Sequence, residues 1–354
     1  MEKKTINNPK CLCVAAGGSG GHILPAIIIA REWRQQNPDG RVLFFCQDKD
    51  LDKKILAQNK IADFVIALPA AKFFVKKPWL YPLFIFQILR GFISSFTNLI
   101  KHKPEKVIST GGSTAVPVAL AAWLQWRPIE VYELNVVPGK SIKFLALFAQ
   151  KIFIMFDESK KYLNFMGINF ASKCQITRYP IRFTAADKVF DKNKELAALR
   201  FSAERKTIFL LGGSQGSVFL NNLTKKFVEL NPKLHNKIQI IHQAGLNDVA
   251  KWEVFYQKQN IPAIVFDYNQ NIKSFYLLSD LIIARAGAGT IFEIEFFQKH
   301  ALLIPLVAAS TTHQVQNAEA MCHKSPYLFT MLRQETTERN FQIFSDLVTK
   351  TLNI

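Results

Sequence analysis

Over its first 180 residues the chain alternates short runs of β-branched, aromatic and aliphatic residues with stretches of helical periodicity. The runs CLCVAA (11–16), RVLFFC (41–46), FVIAL (64–68), KVIST (106–110), IEVY (129–132) and KIFIM (151–155) predict strands. Helices are expected over 23–36, near 52–59, and over 117–126 and 141–149. Strand–helix alternation of this kind argues for a parallel sheet covered on both faces. The pattern then restarts: TIFLLG (207–212), KIQIIH (237–242), AIVFD (263–267), DLIIAR (280–285) and ALLIP (301–305) read as strands between helical stretches. Between the halves, residues 178–206 carry Pro180 and many charges and read as linker plus a surface helix. A last helix is expected over about 336–352.

Each half also carries a matched pair of glycine turns after strands. GGSGG (17–21) and TGGS (110–113) lie in the first half, GGSQG (212–216) and AGAG (286–289) in the second. This is a duplication at the level of fold, and it predicts an α/β protein of two doubly wound domains facing an interdomain cleft. The domains are expected at 1–178 and 179–338, with the helix at about 339–354 packing back on the first. Ligands of such sheets sit at the carboxyl ends of the strands, where all four turns are placed.

A glycine turn lets backbone come close to a ligand and aims the free N–H groups of the next helix outward, which suits a phosphate. No Gly-Lys-Ser/Thr follows at Walker spacing, so ATP hydrolysis is unsupported. A dinucleotide site is the rival reading, with Asp48 placed as a ribose acid, but one such site would not need the second glycine pair. His22 follows the first turn at the opening of a helix, where it is either a cap or a general base titrating near neutrality. Glu293 closes a T-x-x-E box begun by Thr290, so it is either a capping carboxylate or an acceptor for two ribose hydroxyls. Gln314, Gln316 and Asn317 are uncharged amides that can read sugar hydroxyls or form a polar face.

Composition narrows the partners. In 354 residues, 45 Lys and Arg against 27 Asp and Glu give a net charge of +18, which attracts nucleic acid, anionic lipid or pyrophosphate. With 49% hydrophobic and 20% charged residues, disorder is excluded. The basic residues are scattered and no nucleic-acid motif occurs, so no nucleic acid is expected. Five cysteines without a C-x-x-C argue against disulfides and zinc; no metal is expected, and a reducing cytosol fits best. The polar start MEKKTINNPK is not a secretory signal. In the apolar stretch 79–100, Pro82 and Arg90 leave uncharged runs of about 11 and 10 residues, short of the roughly 18 a span needs. Between residues 70 and 150, however, ten Lys and Arg face three acids, around FFVKKPWLYPLFIF. Apolar aromatics rimmed by lysines read as an interfacial patch over about 72–103 that lies on an anionic membrane surface; the bland alternative is a buried helix with solvated lysines.

In chain order, GGSGGHILPA (17–26), YELNVVPGK (132–140), GGSQGSVFLNN (212–222), RAGAGTIFEI (285–294) and HQVQNA (313–318) resemble the MurG family of peptidoglycan glycosyltransferases, over about residues 11–320. The resemblance implies a GT-B fold. It also implies inverting transfer of N-acetylglucosamine from UDP-GlcNAc to the 4-hydroxyl of the muramic sugar of undecaprenyl-pyrophosphoryl-MurNAc-pentapeptide, lipid I becoming lipid II, with no cofactor. The first domain would take the lipid acceptor and the second the nucleotide sugar. Gly18, Ser19, Gly20 and Gly21 would cradle the acceptor pyrophosphate, with His22 the candidate base and Asn135 lining the acceptor site. Arg182, Ser214, Gln215, Ala288, Thr290, Glu293, His313 and Gln314 would hold UDP-GlcNAc. The implied location is peripheral, on the cytoplasmic face of the bacterial inner membrane. Tyr132 and Leu134 stand where the family usually has His and Gln, and Gly289 where Leu is common, which marks a divergent member. The alternatives are another GT-B enzyme, either a UDP-GlcNAc epimerase or another lipid-directed glycosyltransferase, or a basic nucleic-acid-binding protein.

Overall fold

The computed structural model describes residues 9–69, 79, 81–213, 216–245, 248–267, 269, 271–307 and 313–354. The chain divides into two units between Arg182 and Phe183.

The first unit is one parallel sheet of seven strands. In chain order these are β1 (Cys11–Ala16), β2 (Arg41–Gln47), β3 (Phe64–Leu68), β4 (Lys106–Gly111), β5 (Ile129–Glu133) and β6 (Lys151–Ile154), then a small antiparallel hairpin, β7 (Asn164–Phe165) and β8 (Ile168–Asn169), and last β9 (Cys174–Ile176). The sheet order is β3-β2-β1-β4-β5-β6-β9, so the chain reverses direction across the sheet between β1 and β4. Side chains on β1 alternate between two cores, as strand geometry requires. Leu12, Val14 and Ala16 join Ile23, Ile27 and Trp33 of α1 (Gly20–Gln36) and Ile55 and Leu56 of α2 (Asp50–Asn59). Cys13 and Ala15 face Leu99 of α3 (Tyr81–His102), Val118 and Ala122 of α4 (Ala115–Leu124), and Ile142 and Leu145 of α5 (Lys140–Leu145). Burial on both faces explains why these strands are nearly unbroken apolar runs in sequence.

α3 departs from the sequence expectation. It is one unbroken helix of 22 residues, about 33 Å at 1.5 Å per residue, and by length and composition it could cross a membrane. Arg90 lies on the exposed side, so its charge does not interrupt the helix. Only Gly91, Ser95 and Leu99, one stripe at four-residue spacing, are buried. Gly91 brings α3 close to α4: a Cβ there would lie 3.3 Å from the Pro117 ring. Leu83, Ile85, Phe86, Leu89, Ile93 and Ile100 face outward, an apolar surface far larger than a helix of a water-solvated domain normally shows. Residues 72–78 and 80 of the expected patch lie outside the described residues.

The second unit is a parallel sheet of six strands, β10 (Lys206–Leu211), β11 (Ile238–Gln243), β12 (Ala263–Phe266), β13 (Leu281–Ala284), β14 (Ala301–Leu303) and β15 (Phe329–Met331), in the order β12-β11-β10-β13-β14-β15. Here the reversal falls between β10 and β13. The helices are α6 (Lys192–Ala198), α7 (Val218–Leu230), α8 (Val249–Lys258), α9 (Lys273–Leu278), α10 (Ala288–Phe297), α11 (His313–Lys324), α12 (Gln334–Arg339) and α13 (Phe341–Leu352). The expected closing helix is thus two, broken at Asn340, whose side chain caps α13 by accepting from the Gln342 N–H. The helix expected to return to the first domain packs instead in the second. Phe344, Val348 and Leu352 form its apolar stripe and are buried with Phe227, Val228 and Ile238.

Candidate active site

All four glycine turns follow strands at the two reversal points, where doubly wound sheets open a crevice beyond their carboxyl ends. In the first unit the turn after β1 and the turn after β4 lie side by side, with Ala16 paired to Gly111. A Cβ on Gly112, which has φ +92°, would lie 2.4 Å from the Gly17 carbonyl oxygen, so only glycine allows this approach. α1 opens at Gly20 with Ser19 extended at its N-cap, no side chain capping it and no acid in its first turn. The Ser19 carbonyl accepts from the amides of His22 and Ile23, at 3.2 Å each, while those of Gly20 and Gly21 have no backbone partner among the described residues. The Gly18 amide is already taken. It donates to the buried carboxylate of Asp52 (2.8 Å), which also accepts from the Gln47 amide (3.1 Å). Gly18, at φ +92°, therefore shapes the turn, and Ser19, Gly20 and Gly21 carry its free surface.

His22 is tied to the neighbouring turn. Its Nδ1 lies 2.8 Å from the Thr110 carbonyl oxygen, and the Thr110 hydroxyl donates to the His22 carbonyl at 2.8 Å. A carbonyl only accepts, so Nδ1 carries the proton and Nε2 keeps its lone pair. Burial pushes the imidazole pKa below its ordinary value, against the opposing pull of the Thr110 contact and the Asp52 charge. At neutral pH the ring is a neutral acceptor.

The segment after β5 is organised by a residue that sequence reasoning passed over. Glu133 is buried, and its carboxylate accepts from the Asn135 amide (2.7 Å), the Asn135 Nδ2 (3.2 Å) and the Gly139 amide (3.2 Å). Burial nevertheless pushes its pKa up to about 7. Asn135 is thus held from one side by Glu133 and from the other by the Ser159 hydroxyl on its carbonyl (3.0 Å). The sequence signal was available: Glu133 falls on the same face of β5 as the buried Ile129 and Val131, and an acid on that face needs a partner.

In the second unit, the turn after β10 folds back tightly. Gly213 and Gly216 have φ of +86° and +73°, and a Cβ on Gly216 would lie 2.6 Å from the Gly245 Cα. Ser217 caps α7, accepting from the Leu220 amide at 3.4 Å. Ser214 and Gln215 lie outside the described residues. Beside this turn, β13 leads through Gly287 into α10, whose first-turn amides at Ala288, Gly289 and Thr290 have no backbone partner among the described residues. Neither α7 nor α10 has an acid in its first turn, so the positive end of each dipole is left for a ligand.

Thr290 is inside α10 and not its cap, so the capping box does not form. The Glu293 carboxylate instead accepts from the buried Tyr276 hydroxyl at 2.8 Å, a bond from α9 that orients it. His313 is the first residue of α11, and the Gln314 side chain accepts from the Leu306 amide at 3.0 Å, tying the helix start to the chain after β14. Asn317 is buried and donates to the Ala286 carbonyl (3.3 Å), linking α11 to the glycine turn. Arg182 is the last residue of the first unit, in the segment between the two sheets. Asp48, the acid a dinucleotide site would use, is spent on an exposed ion pair with Lys53 at 2.6 Å.

Two parallel-sheet units, each with paired glycine turns at its reversal point, make up the GT-B fold. Residues 12–154 match the glycosyltransferase family 28 N-terminal domain and residues 207–343 the family 28 C-terminal domain, and these matches make the chain a glycosyltransferase. The chain is 31% identical, over 88% of its length and 83% of the relative's, to the UDP-N-acetylglucosamine–N-acetylmuramyl-(pentapeptide) pyrophosphoryl-undecaprenol N-acetylglucosamine transferase of Trichlorobacter lovleyi. It belongs to the MurG family. The crystal structure of Acinetobacter baumannii MurG superposes with a TM-score of 0.69 at 23% identity, covering 97% of this chain and 91% of that one. UDP-GlcNAc 2-epimerase from Neisseria meningitidis shares the fold at a TM-score of 0.64 and 18% identity, over 98% and 94% of the two chains.

Proposed function

We propose that this chain moves N-acetylglucosamine from UDP-GlcNAc to the 4-hydroxyl of the MurNAc sugar of undecaprenyl-pyrophosphoryl-MurNAc-pentapeptide, with inversion, converting lipid I to lipid II. The observation that carries this reading is the division of chemistry between the units. A neutral imidazole whose Nε2 has no partner among the described residues stands beside one pair of glycine turns, and two helix N-termini with no acid in their first turns stand at the other.

In this reading the acceptor pyrophosphate meets the amides at Ser19, Gly20 and Gly21, with Asn135 on the acceptor side. The sugar 4-hydroxyl oxygen attacks the anomeric carbon of the donor, its proton passes to His22 Nε2, and the bond from that carbon to the β-phosphate oxygen breaks as UDP leaves. The negative charge growing on UDP is met by the N-termini of α7 and α10, preorganised dipoles of the kind that contribute most to many transition states. Glu293, oriented by Tyr276, accepts the ribose hydroxyls. Arg182, Ser214 and Gln215 address the phosphates, and His313 and Gln314 the sugar. Nothing in these steps calls for a cofactor.

The exposed face of α3 fits a peripheral position on the cytoplasmic face of the inner membrane. The helix is held to the unit along Gly91, Ser95 and Leu99 and presents its apolar residues, with Arg90 and Lys101, to an anionic surface. Flotation with anionic and neutral vesicles tests this: anionic vesicles should carry the protein up, and equal recovery with neither would overturn it.

The reaction is tested by incubating the protein with UDP-GlcNAc, with and without undecaprenyl-pyrophosphoryl-MurNAc-pentapeptide. Release of UDP and a glycosylated lipid, both only when the acceptor is present, is the expected outcome. A free epimer of the sugar without acceptor, or no turnover, would overturn the proposal.

A further inference from the structure

Arg285, at the end of β13, has a role that the glycine-turn reading leaves unassigned. Its residue is only 8% exposed. Nε donates to the Ser217 hydroxyl (3.1 Å), and Nη1 donates to the Ile304 carbonyl (2.9 Å) and the Gln334 side-chain oxygen (3.2 Å). The guanidinium also lies 5.4 Å from the Phe219 ring centroid. All of these partners are neutral, and no carboxylate pairs with it among the described residues. Burial lowers its pKa only to about 10, so the charge persists at neutral pH. A buried cation without an anion is costly, and a protein keeps one where a ligand completes it.

Two donors remain open at this point. Nη2 has no partner among the described residues. The Ser217 oxygen accepts from both the Leu220 amide and Arg285 Nε, so its lone pairs are occupied and its own proton is left to give. Ser217 closes the Gly212–Gly216 turn and caps α7, while Arg285 leads into the turn before α10. The unmatched charge therefore stands at the same reversal point as the N-termini of α7 and α10, neither of which has an acid in its first turn.

We propose that Arg285 and Ser217 form a diphosphate-binding pair. The guanidinium supplies the fixed positive charge for the donor's diphosphate, and its bond to Ser217 directs the serine O–H to a phosphate oxygen. This rests on the reading of the second unit as the nucleotide-sugar unit, and it assigns the phosphate, as opposed to the nucleoside, to these two side chains. Both bonds are charge-assisted, since the phosphate oxygen is ionised, but the guanidinium adds a full positive charge of its own, so Arg285 carries more of the affinity than Ser217.

The test compares binding of UDP and of uridine to wild type, Arg285→Met and Ser217→Ala, by calorimetry or displacement. Arg285→Met should weaken UDP by about a hundredfold, and Ser217→Ala by about tenfold, each leaving uridine affinity unchanged. UDP affinity of the wild type should also fall with added salt more steeply than that of Arg285→Met. Variants that bind UDP as the wild type does, or that lose UDP and uridine in equal proportion, would overturn the pair. If Arg285→Met does not fold, Ser217→Ala decides, since it keeps the guanidinium and its two other bonds. A wild type that binds no UDP would instead overturn the nucleotide-sugar reading itself.

Discussion

Replacing His22 by Asn separates the two jobs its ring performs. Nδ1 donates to the Thr110 carbonyl and so fastens the first glycine turn to the second, while Nε2 is the proton acceptor. An Asn side-chain amide reaches the position of Nδ1 and can keep the Thr110 bond, but nothing replaces Nε2. His22→Asn should therefore stay within about 1 kcal/mol of wild-type stability, the net worth of one hydrogen bond. His22→Ala, which leaves the Thr110 carbonyl unpaired, should lose about 1–3 kcal/mol. Both should lose catalysis alike, since general-base help is worth about 10²–10⁴ in rate. That is about 2.7–5.4 kcal/mol of barrier at 1.36 kcal/mol per decade. Single-turnover transfer to the lipid acceptor, with urea unfolding of the same preparations, measures both. The pH profile adds a sign: burial lowers the His22 pKa, so the wild-type acid limb should lie below 6.5 and vanish in both variants. If His22→Asn turns over as fast as wild type, or keeps the acid limb, His22 is not the base. If it unfolds as readily as His22→Ala, the Thr110 bond is not what the ring contributes to the fold.

Glu133 makes a prediction in pH. Its folded pKa of about 7 lies above the ordinary 4.5, so the folded protein holds more protons between those values. Stability should fall as pH rises through that window, by up to about 1.4 kcal/mol per unit, and level off above it. Glu133→Gln should lack that decline, and parallel curves for the two proteins would refute the assignment. Gly112→Ala should lower stability by at least the ~1–2 kcal/mol of the left-handed conformation, with a further cost for displacing the Gly17 carbonyl, seen as a drop in Tm and a loss of turnover. Tyr276→Phe removes the bond that orients Glu293; UDP affinity should weaken roughly threefold with Tm little changed, and unaltered affinity would leave Glu293 without a ribose role.

What was legible in the chain follows from sequence distance. Strands buried on both faces, such as β1 and β10, announce themselves as unbroken apolar runs, and the glycine turns follow them directly. Contacts made across the fold left no local trace. The claim of Asp52 on the Gly18 amide spans 34 positions, and the bond from Arg285 to Ser217 spans 68. Glu293 looked equally fit for capping because the box T-x-x-E is local, whereas its actual partner, Tyr276, lies on another helix. β15 escaped notice because three residues with a central Thr carry no usable period. The stretch around α3 read as an apolar interfacial patch, and its helical extent came only with the fold, where Arg90 lies among its exposed residues.

Gly91 also couples two parts of the first unit. The close approach it permits clamps α3 against α4, and α4 begins directly after the turn whose Thr110 carbonyl holds His22. Whatever rests on the outer face of α3 is therefore kept at a set height from the imidazole. In the proposed arrangement, with α3 resting on the membrane and a lipid acceptor anchored in it, this clamp would set how far the reacting sugar must reach. Lengthening or tilting α3 would change that reach without touching a single residue of the site.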